Sequence, residues 1–327
     1  MNYIGNNYKL LLTLLNRTPL QYNNRLSKKY GCNLYIKRED LQITRSFKIR
    51  GALNKVLSLN SDEKYEGIVC ASAGNHAQGV AWISTNYNIK SNIFIPECTP
   101  QQKINKICSY AIPSLCSIHI VGKTFNETLN IASTFTKATN KTFIHPYNDK
   151  KIIDGHQTIA YEIFEDLEYI NREPHIIIGG IGGGGLMSGL SLYNNIYSKE
   201  PAIMIGVEPT TCASMRKSVD NGYISEHKSS SNFVDGATVE KVGDITYDIC
   251  SQYIDYFYDI SIKDICKTII DLHQEDGIIS EPAGALSIAS LDKISKDQDI
   301  RGQNIVCILS GGNNDINRYN EILQNSF

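Results

Sequence analysis

Residues 175–186 read His175-Ile176-Ile177-Ile178-Gly179-Gly180-Ile181-Gly182-Gly183-Gly184-Gly185-Leu186. The apolar run over 175–179 reads as a strand, 180–185 as a glycine-rich turn, and a helix is expected from Leu186. The same order recurs along the chain. Residues 67–72 (Gly-Ile-Val-Cys-Ala-Ser) read as a strand, followed by Ala73-Gly74-Asn75-His76 and a helix over 77–85. Residues 203–207 read as a strand ending at Glu208, and 305–309 as a strand followed by Ser310-Gly311-Gly312-Asn313. Strand–turn–helix alternation predicts α/β architecture with mainly parallel sheets. Ligands in such sheets sit beyond the carboxyl ends of the strands, where these three glycine-rich turns fall and can converge on one ligand.

The bulk numbers are those of an ordinary globular chain. The 327 residues suffice for one large domain or two modest ones. A net charge of −2 gives no pull toward nucleic acid or anionic membranes, leaving small molecules or other subunits as partners. Residues 1–6 lack a basic segment leading into an apolar core, and the apolar stretch at 10–15 is short, so no signal peptide is expected. No run approaches the roughly 20 apolar residues of a membrane helix. The nine cysteines form no CxxC pair, and several lie in apolar runs. Buried, reduced thiols in a cytoplasmic protein are expected, with no disulfide framework and no metal site. Residues 225–232 read as a surface loop.

The glycine run is the richest motif. Consecutive glycines let backbone N–H groups turn inward as an anion site, and the following helix adds the positive end of its dipole, so phosphate is the natural guest. Gly180, Gly182 and Gly185 also fit the dinucleotide pattern G-x-G-x-x-G, with Glu208 ending the next strand where a ribose-binding acid is expected. An NAD-dependent oxidoreductase therefore stands as an alternative.

The second motif is Thr44-Arg45-Ser46-Phe47-Lys48-Ile49-Arg50-Gly51-Ala52. Ser46 or Thr44 is expected to cap a helix running toward Leu57. Lys48 then lies in the first turn, where the helix dipole disfavours a cation and lowers the lysine pKa. A single lysine is more often a solvated surface charge, and the residues alone favour that reading.

The segment Ser46-Phe47-Lys48-x-Arg50-Gly51-Ala52 resembles the cofactor-lysine motif of the threonine/serine dehydratases, which are fold type II (tryptophan-synthase-β-like) pyridoxal 5′-phosphate (PLP) enzymes. Residues 71–79 (Ala-Ser-Ala-Gly-Asn-His-Ala-Gln-Gly) resemble their substrate-carboxylate loop, and Gly182 to Gly185 their phosphate loop. Ser280-Glu281-Pro282-Ala283-Gly284-Ala285 and Ser310-Gly311-Gly312-Asn313 resemble two late motifs. His145-Pro146-Tyr147-Asn148-Asp149 and Phe233-Val234-Asp235-Gly236-Ala237 fall between these in the same order.

The resemblance implies roles. Lys48 would hold PLP as a Schiff base and, once displaced by substrate, act as general base at Cα. Phe47 would pack on the pyridine ring, Asn75 would bond its hydroxyl, and Ser310 would face its nitrogen. Gly182, Gly183, Gly184 and Gly185 would hold the phosphate, with Glu281 also near the cofactor. Ser72, Ala73, Gly74, Asn75 and His76 would hold the substrate carboxylate. A neutral hydroxyl at Ser310 makes the ring a weaker electron sink than a carboxylate would, favouring loss of a β leaving group over transamination.

The expected reaction is dehydration and deamination of L-threonine to 2-oxobutanoate and ammonia, and of L-serine to pyruvate. Serine-specific or 3-hydroxyaspartate dehydration, β-replacement such as sulfhydrylation, and serine racemisation are the alternatives within the family; a non-enzymatic amino-acid sensor is one outside it. Racemases carry a serine at the position of Ala73, and a methyl group exchanges no proton. Some relatives bind a divalent cation through an acid matching Glu208 and a second matching Ser214; with serine at the second position no metal is expected. Lys37-Arg38-Glu39-Asp40-Leu41-Gln42 and the Ser310–Asp315 ending resemble the biosynthetic threonine dehydratases. Their C-terminal domain sensing isoleucine or valine is expected to be missing after Phe327, and with it inhibition by isoleucine through that route. Where the family reads Gly-Gln-Gly-Thr, this chain has Gly155-His156-Gln157-Thr158; a lone histidine is expected to be a surface or internally satisfied residue. Two α/β domains with PLP between them are implied, a small one over 52–147 and a large PLP-binding one over 1–51 and 148–327, in a homo-oligomer, dimer or tetramer.

Overall fold

The computed structural model of the protein describes residues 6–327. The reading of the N-terminus as lacking a basic lead segment rests mostly on residues 1–5, which lie outside the described residues. The chain divides into two compact units. The first contains Lys48–Gly155 with the helix Asn6–Leu14, and the second contains Asn16–Phe47 and His156–Phe327. The seams expected at 51/52 and 147/148 differ from these because of packing on the helix Lys48–Leu57. Helix Asn6–Leu14 packs on it. Asn54 donates to the Lys151 carbonyl at 2.6 Å, and Lys55 pairs with Asp149 at 2.7 Å. Gly155 lies so close that a Cβ there would stand 2.5 Å from the Arg50 carbonyl.

Ten strands of the described residues fall into two sheets: β1 (Leu20–Tyr22), β2 (Asn33–Arg38), β3 (Ile68–Ala71), β4 (Ser91–Ile95), β5 (Cys116–Ile120), β6 (Thr142–Phe143), β7 (Ile176–Gly180), β8 (Ile203–Pro209), β9 (Tyr256–Ile260) and β10 (Asn304–Leu309). The first unit holds the order β5-β4-β3-β6, all parallel. The second holds β1-β2-β10-β7-β8-β9, parallel apart from the antiparallel edge strand β1. The α/β reading of the sequence is borne out.

Every residue of β3 and β10 is buried. Strands covered by helices on both faces carry continuous apolar runs for this reason, which is why Ile-Val-Cys-Ala and Asn-Ile-Val-Cys-Ile-Leu show no polar alternation. The pleat still sorts them. Ile305, Cys307 and Leu309 of β10 point into one core, with Ile176, Ile178, Ile205 and Val207. Val306 and Ile308 point into the other, with Ile177 and Met204. Residues 225–232 carry neither helix nor strand, as expected of the serine-rich loop.

All nine cysteines are free; Cys98 and Cys108 are exposed and the other seven buried. Burial pushes the Cys250 thiol up to about 12 and the Cys70 and Cys307 thiols far above their usual range. No helix of the described residues is long and apolar enough to cross a membrane.

Candidate active site

Each sheet has a point where the strand path reverses. In the first unit β3 leads to β4 and β5 on one side, and β6 returns to the other. In the second β7 leads to β8 and β9, and β10 returns to the other side of β7. Crevices beyond the carboxyl ends at such points are where open α/β sheets bind ligands.

In the first unit the loops after β3 and β6 flank the reversal. Lys48 opens the helix Lys48–Leu57, and its Nζ donates to the Pro146 carbonyl at 2.8 Å. His76 is buried, and its Nε2 donates to the Ile144 carbonyl at 2.8 Å, which fixes the proton on that nitrogen. Burial, and then the nearby charge of Lys48, press the His76 pKa down to about 3, so the ring is neutral at working pH. Both side chains thus hang on one short segment, 144–146. The loop after β3 is shaped by the Ser72 hydroxyl, which accepts from the Gly74 amide at 3.2 Å. It delivers the chain into helix Asn75–Tyr87, whose N-cap is Gly74 and whose first amides receive no capping side chain from it. A Cβ on Gly74 would meet nothing within 4 Å. Open space therefore stands in front of a helix N-terminus, an arrangement suited to a carboxylate.

The capping reading fails for Thr44, whose Oγ1 makes no hydrogen bond. The helix begins at Lys48, which puts Phe47 at the boundary. Ser46, just before it, joins an antiparallel bridge with Gly311.

In the second unit the loops after β7 and β10 flank the reversal. Gly184 is the N-cap of the 13-residue helix Gly185–Tyr197 and is left-handed, with φ 90°. That value suits glycine alone without strain. The loop is also packed tightly from behind. A Cβ on Gly182 would lie 3.0 Å from Ala237 Cα, and one on Gly184 would lie 2.6 Å from Met215 Cε. The Phe233–Ala237 segment is thus the support of the glycine loop. His156, fully buried, donates from Nδ1 to the Gly185 carbonyl at 3.2 Å and sets its ring edge-on to Phe47 at 4.9 Å. It is a core residue tied to two predicted site positions.

Phe47, Glu281 and Ser310 are brought together through main chain. The Phe47 amide donates to the Ser310 carbonyl and the Glu281 amide to the Gly311 carbonyl, each at 3.2 Å. The Ser310 hydroxyl donates to the Ala283 carbonyl at 3.4 Å. Glu281 is the N-cap residue of helix Pro282–Ala289, and its carboxylate lies against Gly311.

Glu208 does not offer its carboxylate to a ribose. It is buried and accepts the amides of Met215 at 2.9 Å and Arg216 at 2.8 Å, capping helix Ser214–Asn221. Burial raises its pKa to about 7. The acid on which the dinucleotide alternative rests is committed to a helix end, and that alternative loses its support. Among the described residues no group of three His, Cys, Asp or Glu side chains is gathered in a way that could hold a metal ion.

Sequence reasoning did not find the carbonyls of Ile144 and Pro146 as partners of His76 and Lys48. It could not, since any residue carries a carbonyl and only the fold selects one.

Each unit by itself thus carries a glycine at a helix N-terminus beside its strand-order reversal, and the first also carries the amine of Lys48. Residues 11–311 match the pyridoxal-phosphate dependent enzyme family, and the chain belongs to it. Within that family it is similar to the biosynthetic L-threonine dehydratase IlvA of Staphylococcus epidermidis, with 45% identity over 98% of this chain and 75% of the relative. The IlvA of Bacillus subtilis is 42% identical over 94% of this chain and 72% of its own length. Among solved structures, the processed form of threonine deaminase isoform 2 from Solanum lycopersicum superposes with a TM-score of 0.91 and 32% identity, covering 98% of this chain and 91% of that one.

Proposed function

We propose that the protein is a PLP-dependent threonine ammonia-lyase, converting L-threonine to 2-oxobutanoate and ammonia and L-serine to pyruvate. The observation carrying this is the amine of Lys48 placed at the strand reversal with a neutral His76 beside it. The similarity to the threonine dehydratases over nearly the whole chain supports the choice of substrate.

The residues fit the cofactor. Lys48 is an amine that can link to an aldehyde. Gly182, Gly183, Gly184 and Gly185 are backbone donors at a helix N-terminus for a phosphate. Phe47 is an apolar ring for a pyridine face, Ser310 a hydroxyl for its nitrogen, and Glu281 and Asn75 are polar groups for its substituents. When bound, PLP supplies an electron sink that allows the Cα–H bond of an amino acid to ionise.

The chain's own residues do the rest. The N-terminal amides of helix Asn75–Tyr87, with Ser72, Ala73, Gly74 and His76, hold the substrate carboxylate and so set which Cα bond faces Lys48. The Lys48 amine, next to a histidine that stays neutral, takes the Cα proton. The electron pair freed at Cα forms the Cα–Cβ double bond as the Cβ–O bond breaks. The hydroxyl departs with the Cβ–O pair and takes up a proton to leave as water, and hydrolysis of the released enamine gives the 2-oxo acid and ammonia. Ala73 contributes a methyl group and no second acid–base group, which suits elimination rather than racemisation. Ser310, a neutral donor, keeps the sink modest and favours prompt loss of the leaving group.

The second unit, carrying the glycine loop, would be the PLP-binding domain, and the first the substrate-carboxylate domain. A cytoplasmic homo-oligomer completes the reading on family resemblance.

The test is the visible spectrum of the purified protein with and without L-threonine, followed by an oxo-acid assay. A yellow protein whose band moves on adding threonine and which releases 2-oxobutanoate is the expected result. A protein that stays colourless after PLP is added ends the proposal.

A further inference from the structure

We infer that Arg45 is a positioning residue that holds the segment leading into Lys48 in register with the loop carrying Ser310; this rests on the PLP reading above. Four described residues other than glycine have positive φ: Arg45, Asn88, Asn140 and Asn171. Three are asparagines, the residue that tolerates this region, and Asn88 and Asn140 close helices. Arg45, with φ 56°, has neither excuse. A left-handed arginine is a small standing cost, and such costs persist where surrounding contacts impose them.

Those contacts are specific. The Arg45 amide donates to the Gln42 carbonyl at 2.7 Å, closing a turn. The Gly312 amide donates to the Arg45 carbonyl at 3.0 Å, and the Arg45 guanidinium Nη2 donates back to the Gly312 carbonyl at 2.9 Å. On either side the Asn313 side chain donates to the Thr44 carbonyl at 2.9 Å, and the Phe47 amide to the Ser310 carbonyl at 3.2 Å. Residues 44–47 and 310–313 thus form a two-stranded clip, bridged at Ser46 and Gly311. The space at 312 suits glycine: a Cβ there would stand 2.7 Å from the Ile279 carbonyl, with the guanidinium Nη2 at 2.9 Å. Turning Arg45 to negative φ would swing its carbonyl off the Gly312 amide and shift Ser46 and Phe47, so that Phe47 and Ser310 would no longer share one register. The cost at Arg45 is stored in the piece of chain that sets how the pyridine ring is gripped.

The test compares the full chain with its Arg45→Gly and Arg45→Lys variants. Glycine removes the left-handed cost and keeps the main-chain bonds but loses the guanidinium; lysine keeps a cation and a donor but loses the planar fork. Two readouts are taken on each protein: the PLP dissociation constant, from the visible band, and the thermal midpoint without cofactor. A positioning role predicts that Arg45→Gly leaves the midpoint unchanged while PLP binding weakens about tenfold, the loss of one charge-assisted hydrogen bond, with partial recovery in Arg45→Lys. PLP affinity within about twofold of wild type in Arg45→Gly overturns the inference, as does an affinity that merely tracks the midpoint across the variants. Wild-type protein that takes up no PLP fails the cofactor reading itself, in a sample no substitution has touched.

Discussion

Strands β3 to β6 and strands β7 to β10 trace the same path, in orders β5-β4-β3-β6 and β10-β7-β8-β9, yet the glycines at their two reversals serve opposite ends. Gly74, after β3, has negative φ, and a Cβ there would project into open space. Gly184, after β7, is left-handed and backed by Met215 and Thr246. One glycine leaves room in front for a guest; the other lets the protein close in from behind. In the proposed reading the first loop would recognise with side chains as well as amides (Ser72, Asn75, His76), while the second would rely on the backbone alone. A shared scaffold therefore says little about what its loops hold.

The comparison can be broken at several points. The largest effect is expected at Lys48: Lys48→Ala should lower threonine turnover by about a thousandfold or more while the fold survives, because it removes the proton acceptor. A variant retaining a tenth of wild-type rate would take the first unit out of the chemistry. Next, Gly184→Ala should cost about 2–4 kcal/mol in unfolding free energy, combining a left-handed alanine with overpacking against Met215. An unfolding midpoint equal to wild type would show that the loop is not packed from behind.

A pH prediction follows from His76. Its pKa falls from 6.5 unfolded to about 3 folded. Stability from the neutral ring is complete above pH 6.5 and is lost as pH falls from there toward 3, because the unfolded chain binds the proton first. Between pH 6.5 and 5 the loss attributable to this residue approaches about 2 kcal/mol, and His76→Asn should flatten that part of the stability profile measured in denaturant. An equally steep profile in the variant would assign the slope elsewhere. The smallest effect is expected at Gly74: Gly74→Ala should change stability by no more than about 0.5 kcal/mol but raise the KM for threonine roughly tenfold by occupying the carboxylate's space. If Gly74→Ala and Gly184→Ala lose stability alike, the contrast between the loops is wrong.

What was legible in the sequence was local. A buried parallel strand is a short apolar run, and a ligand turn is glycine next to it, so 68–75, 176–185 and 304–312 announce themselves within a dozen residues. The order of the motifs carried the family, and the family carried the roles proposed for Lys48, Asn75 and Ser310. Contacts between distant pieces were not legible. Ser46 gives no sign of the bridge it makes with Gly311, far along the chain. Glu208 looks like a ribose acid until the helix beginning at Ser214 turns its amides onto it. His156, alone in its motif, gives no sign of the Gly185 carbonyl it donates to. The positive φ of Arg45 is likewise invisible, since nothing about arginine forecasts it.

The distribution of thiols gives the protein its own unfolding clock. Cys98 and Cys108, on the surface of the first unit, will be open to an alkylating reagent in the folded protein. Cys70 and Cys116 stay silent until the first unit opens, and Cys32, Cys212, Cys250, Cys266 and Cys307 until the second does. Mass spectrometry after a brief pulse of reagent during denaturation would therefore date the opening of each unit separately, with no label introduced and no residue of the site disturbed.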